Sequence, residues 1–191
     1  MLVENHQDNI VMLDKKGRYF MEVNERRQMF LHIMPPLTHK VCKTMQECNF
    51  FNAPASTKYH GNYEGGLFDH SLEVVNQLVD LTEKLGLQWS RPESPYIVGM
   101  FHDICKMDKY IRTDEGYEYN DEILLDGHGV KSVIMLQIMM ELTDEEIMCI
   151  RYHMGAYETD DWKQFGLAIQ KYPNVLYTHM ADMIASKVVG I

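Results

Sequence analysis

The chain of 191 residues has no C-x-x-C pair. A zinc ribbon or a thiol redox motif is therefore not indicated. Its four cysteines, Cys42, Cys48, Cys105 and Cys149, are dispersed as in a reduced intracellular protein, where cysteine packs as a small hydrophobe. No apolar run approaches the ~20 residues that a membrane helix needs. The first residues, Met1-Leu2-Val3-Glu4-Asn5, have neither the basic region nor the apolar stretch of a signal peptide. The expectation is a soluble, cytoplasmic protein with no membrane partner. Basic residues are also scarce: 18 Lys and Arg stand against 28 Asp and Glu, for a formal net charge of −10. Long nucleic acid is disfavoured as a partner, because phosphate backbones need a basic stripe. A small phosphorylated substrate is not excluded, since bound cations can reverse the field inside a site.

What the chain does have is an ordinary core. It is 46% hydrophobic, too apolar for disorder. The length fits one domain with room for an N-terminal extension, read as residues 1–49 packing on a core of residues 50–191. Asn9 to Val23, around Asp14-Lys15-Lys16-Gly17, reads as a small hairpin. A helix follows as far as Pro35-Pro36, and another runs from Leu37 to Cys48. Phe50 to Pro54 is a break. From Gly65-Gly66 a strong helix carries Leu67, His70, Val74, Leu78, Leu81 and Leu85 on one face and ends at Gly86. Ser94-Pro95 opens the next. Tyr110-Ile111-Arg112 and Tyr117-Glu118-Tyr119 flank Asp114-Glu115-Gly116 as a short exposed hairpin. A Met-rich helix spans Gly127 to Glu141. Thr143 and Glu146 form a capping box for a helix ending near His153. Residues 155–165 read as a loop, and a last helix runs from Pro173 to Val188. The fold class is all-α, a helical bundle. The fifteen methionines read as flexible core filler. Tyr117, Tyr157 and Trp162 read as surface or core aromatics.

The chemistry lies in a series. The dyad His102-Asp103 ends an apolar run, and His70, His128, His153, His179 and Asp182 lie before and after it. Imidazole and carboxylate together hold Zn, Mn, Fe or Co while leaving positions open. Taken singly, each has a second reading. His70 fits a satisfied core histidine, His128 a turn residue, and His153 a cation at a helix C-terminus. Asp182 sits in an apolar stretch, and a buried carboxylate needs a partner or a metal. Facing helices of a bundle can converge such groups on one interior point.

The segments Gly65-Gly66-Leu67-Phe68-Asp69-His70, His102-Asp103-Ile104-Cys105-Lys106, Gly127-His128-Gly129, Arg151-Tyr152-His153 and His179-Met180-Ala181-Asp182 resemble the HD-domain superfamily of metal-dependent phosphohydrolases. They follow its H…HD…H…H…D form, and the resemblance covers roughly residues 50 to 188. It implies one or two divalent ions (Mn, Fe, Co, Ni or Zn). His70, His102, Asp103 and Asp182 would hold one; Asp103, as a bridge, with His128 and His153 would hold the other. It also implies metal-activated hydrolysis of a phosphate ester or anhydride, of a nucleotide or related small molecule. Asp103 and Lys106 would be catalytic, and Lys58, His60, Lys106 and His179 would bind substrate. The Gly-Gly-Leu segment is similar to the branch with 3′–5′ exoribonucleases, and Leu142 to His153 to the branch that hydrolyses dinucleoside tetraphosphates. Two features depart from the pattern. Cys105 stands where the family usually has Gly. Fifty leading residues are too few for the OB-type module of the exoribonucleases. A nucleotidase or dinucleotide hydrolase is thus preferred. The alternatives are an exoribonuclease or other phosphodiesterase, or a non-catalytic metal or nucleotide sensor.

Overall fold

A computed structural model describes residues 21–34, 39–125, 127–155 and 162–191. The expected N-terminal hairpin lies outside these residues except at its end, where the chain is helical rather than extended. Glu22 caps helix α1 (Val23–Ile33) in a reciprocal capping box with Glu25. Tyr157 also lies outside them. Eight α-helices are present among the described residues, and the protein is an all-α bundle. After α1 come α2 (His39–Glu47), a 3₁₀ turn (Asn49–Phe51), α3 (Gly66–Leu85) and α4 (Ser94–Phe101). A second 3₁₀ turn (Ile104–Met107) leads into strands β1 (Tyr110–Thr113) and β2 (Gly116–Tyr119). Then follow α5 (His128–Gln137), α6 (Asp144–Arg151), α7 (Trp162–Lys171) and α8 (Asn174–Met183). No helix among the described residues is long and apolar enough to cross a membrane.

Aromatic residues fasten the N-terminal side of the bundle. Phe30 of α1 meets Phe51 edge-on at 5.6 Å and Phe101 of α4 at 6.0 Å, and Phe51 lies 5.5 Å from Phe68 of α3. Such offset contacts add modestly to the burial of the rings. Helices α3 and α4 approach closely because residue 99 is glycine: a Cβ there would lie 2.8 Å from the Val75 Cα. The apolar face of α3 is buried at Leu67, Val74 and Leu78, but Leu81 is half-buried and Leu85 exposed. The helix outruns the core, so its last turn stands in solvent.

The short hairpin is present as expected. Strands β1 and β2 pair antiparallel, Tyr110 with Tyr119 and Thr113 with Gly116. Two other segments differ from the sequence reading. Residues 162–165, expected in a loop, open α7. Phe165 and Ala168 form its buried side. At the far end α8 gives way to a π-helical stretch (Ile184–Val189) that ends on Gly190 at φ 85°. There Ser186 Oγ donates to the Asp182 carbonyl at 2.8 Å, competing for the carbonyl four residues back. The widening directly follows Asp182, and π-turns of this kind recur beside functional sites.

Candidate metal centre

Each residue of the centre sits at a helix end or turn that fixes its direction. His70 lies in the first turns of α3. That turn is pinned by a buried bidentate pair: Arg26 Nε and Nη2 donate to the Asp69 carboxylate at 2.8 and 2.9 Å. Tyr63 Oη adds a third donor at 3.0 Å. The guanidinium passes so close to Gly65 that a Cβ there would lie 2.2 Å from the Arg26 Cζ. His102 is the last cap residue of α4, and Asp103 takes φ −108° and ψ 19° as the chain turns into the 3₁₀ segment. His128 opens α5, and His153 follows α6. The starts and ends of these helices touch because residue 129 is glycine, whose Cβ would lie 2.1 Å from the Arg151 carbonyl oxygen.

These turns converge on Asp103, which is 1% exposed. Its Oδ2 lies 2.6 Å from Lys106 Nζ, 3.5 Å from His102 Nε2 and 3.9 Å from His70 Nε2. Its Oδ1 lies 3.4 Å from both His128 Nδ1 and His153 Nε2. Asp182 joins the first group through His70, whose Nε2 is 3.2 Å from Asp182 Oδ1. The two oxygens of one carboxylate thus face two different sets of imidazoles.

The outer nitrogens decide what the inner ones offer. His70 Nδ1 is 2.9 Å from the Ile191 main-chain oxygen, His102 Nδ1 2.8 Å from the Gly99 carbonyl, and His153 Nδ1 2.7 Å from the Ile150 carbonyl. A carbonyl only accepts, so each Nδ1 carries a hydrogen and each Nε2 points inward. Two such nitrogens, of His70 and His102, lie 3.2 Å apart. Asp103 Oδ1 and His153 Nε2 are buried without a hydrogen-bond partner. Ring nitrogens crowded at this distance beside two carboxylates suit a cation between them. Lys106 supplies one charge. The donor set suits divalent cations, and the anchored Nδ1–H groups are the usual outer partners of metal-ligating histidine. His70, His102 and Asp103 could hold an ion, as could Asp103, Cys105 and His128, the ligand atoms of each trio lying within 4.8 Å of one another.

Protonation follows from the same contacts. Burial pushes the Asp103 carboxyl up, but Lys106 and His102 outweigh it and hold it well below the carboxylate range. Asp182 is likewise lowered: burial raises it, and His70 overrides that. Burial lowers His102, whereas Asp103 overcomes burial at His153 and raises it. Burial opposes the Lys106 charge, and Asp103 restores it, leaving the ammonium firmly protonated. The Cys105 thiol is pushed up to about 12, first by burial and then by Asp103.

Of the residues singled out in the sequence, His70, His102, Asp103, Lys106, His128, His153 and Asp182 come together. His60 joins them, with its ring 4.8 Å from that of His70. Lys58 is exposed, and no hydrogen bond or ion pair among the described residues ties it to the cluster. His179 faces the backbone instead: its Nδ1–H donates to the His153 carbonyl at 2.7 Å. Missed were Cys105 as a donor, the Arg26–Asp69 pair, and Lys109, whose Nζ donates to His128 Nε2 at 2.9 Å.

Among curated proteins the chain is similar to dihydroneopterin 2′,3′-cyclic phosphate phosphodiesterase of Methanocaldococcus jannaschii, 36% identical over 81 residues, 39% of this chain and 31% of the relative. The chain thus spans about a third of the length of the curated relative it matches. No family profile matches the chain, and no solved structure matches it.

Proposed function

We propose that the chain is a divalent-metal-dependent phosphohydrolase of the HD type, acting on a phosphate ester or anhydride of a nucleotide or related small molecule. The observation that carries this reading is the division of Asp103. Its Oδ2 shares one side with His70, His102 and, through His70, Asp182; its Oδ1 shares the other with His128 and His153. One carboxylate facing two imidazole sets suits a bridge between two cations. Such ions, Mn, Fe, Co, Ni or Zn, would acidify water and neutralise phosphoryl oxygens.

The chain's own groups have definable parts. The carbonyls of Ile191, Gly99 and Ile150 fix the tautomers of His70, His102 and His153, so their Nε2 atoms are ready to ligate. Lys106 holds the Asp103 carboxylate and keeps a permanent charge beside the place where a phosphate would sit. His60, half-buried beside these groups with both ring nitrogens buried and unpartnered, would contact substrate. His179 positions His153 through its backbone. Residues 1–49 would form an extension on the catalytic core of residues 50–191.

A phosphodiester is favoured within this class, since the relative it resembles over part of its length is a cyclic-phosphate phosphodiesterase. The test is hydrolysis of bis(p-nitrophenyl) phosphate, 2′,3′-cyclic nucleotides, mononucleotides and diadenosine tetraphosphate with added Mn²⁺, by the wild type and by Asp103→Ala. Turnover of at least one substrate, lost in the variant, is expected. Bound metal without turnover of any would replace the enzyme with a sensor.

A further inference from the structure

A cavity of about 330 Å³ opens beside the Asp103 cluster and shares Cys105 and His128 with it. Small-molecule sites run from ~300 to 1,000 Å³, so the space suits a compact ligand. Its remaining walls come from the end of the hairpin, the loop that follows it, and α5.

Two ammonium groups line it, Lys109 and Lys131. They are not equivalent. Lys131 is buried and its Nζ is held by Asp108 Oδ1 at 2.6 Å. Lys109 Nζ donates to His128 Nε2, a ring nitrogen that must accept, and it pairs with no carboxylate among the described residues. In a chain of net charge −10, and although Asp121 lines the same cavity beside the cluster, Lys109 makes no ion pair among the described residues. That is the group an anion would seek.

The hairpin supplies the rest. Lys109 Nζ lies 5.9 Å from the ring centroid of Tyr119, which is 58% exposed. The ring is nevertheless fixed by an edge contact at 5.4 Å with the buried Tyr110, its cross-strand partner. Asn120 fastens this wall to the turn that leads into β1: its N–H donates to the Lys109 carbonyl at 2.9 Å and its Nδ2 to the Asp108 carbonyl at 3.0 Å. The anion-binding charge and the aromatic surface are thus preorganised together. Asp121, exposed on the same wall, disfavours a ligand with several phosphates and offers an acceptor to ring N–H or hydroxyl groups.

We infer that this cavity is the substrate subsite, in which Lys109 holds the phosphate of a singly phosphorylated ester and Tyr119 packs on its planar heterocycle. The orientation toward Asp103 rests on the phosphohydrolase reading; the binding does not.

The test uses guanosine 2′,3′-cyclic phosphate and inorganic phosphate as probes. Their dissociation constants are measured by NMR titration of the metal-free protein, and the KM for the cyclic nucleotide with Mn²⁺ added. Lys109→Met should weaken both probes about tenfold, the effect of losing a charged hydrogen bond. Tyr119→Leu should weaken the cyclic nucleotide more than phosphate. Lys84→Met, which removes an exposed charge from the last turn of α3, should change neither. Binding that depends on Lys109 without turnover by the wild type would uphold the subsite and remove the hydrolase reading. Variants that bind both probes as the wild type does, or a wild type that binds neither, would overturn the subsite.

Discussion

Asp103 Oδ1 and His153 Nε2 face each other across 3.4 Å, both buried, and neither has a hydrogen-bond partner. On its other oxygen the same carboxylate holds Lys106 at 2.6 Å. Asp103 therefore carries an ion pair on one oxygen and an unpartnered acceptor on the other. The two roles are separable. Asp103→Asn leaves Lys106 buried with its closest counter-charge gone. Breaking a buried pair in this way costs about 3–5 kcal/mol. The double variant Asp103→Asn/Lys106→Met should recover much of that loss in urea unfolding of the metal-free protein, because an apolar replacement removes the stranded charge. Metal binding should stay lost in both.

Gly129→Ala tests how the two halves of the centre are held. The added Cβ would meet the Arg151 carbonyl oxygen at 2.1 Å, and neither backbone can yield as a side chain would. Destabilisation of at least the ~1–3 kcal/mol typical of overpacking is expected. Metal affinity should fall with it, since His128 and His153 flank the contact. Thermal unfolding and metal titration of the variant would measure both.

Arg26→Met should destabilise by about 3–5 kcal/mol, because Asp69 is fully buried and Arg26 supplies two of its donors. Asp69 adjoins His70, so loss of metal affinity should accompany the loss of stability. Arg26→Met/Asp69→Leu should restore stability more than either single change.

The metal-free protein should lose stability as the pH falls below about 6.5, the ordinary histidine value. Burial lowers His60 to about 3, and its neighbours His70 and Lys106 act in the same direction. The unfolded chain takes up a proton below its own pKa while the folded chain does not, so stability drops until the pH reaches the folded value. The slope is at most about 1.4 kcal/mol per pH unit, reduced by partial exposure. His102, lowered by burial, acts in the same direction. His153, raised by Asp103, opposes them: its contribution is present below the unfolded pKa and lost as the pH rises through the folded one. His60→Leu should flatten the acid limb of urea midpoints measured from pH 7 to 4.

The helices were legible where apolar spacing or a cap declared them, as at Thr143-Glu146 and Gly65-Gly66. Helix α7 was missed because Gly166 interrupts it and Asp160-Asp161 precede it, although Phe165, Ala168, Ile169 and Tyr172 keep helical spacing. The cluster around Asp103 was legible as residue types in order. Its internal logic was not. That Nδ1 of three histidines is spent on carbonyls depends on where main chains pass, and no side chain records it. Arg26 and Asp69, 43 residues apart, pair only once α1 lies across α3. Lys109 and Tyr119 belong to a hairpin whose turn residues were visible but whose docking against His128 was not.

The most direct measurement is the metal content of the purified protein, by elemental analysis after reconstitution with Mn²⁺ and removal of free ion, beside Asp103→Ala. The reading of the centre predicts about one to two equivalents in the wild type and close to none in the variant. Equal metal in the two proteins, or none in either, would contradict it.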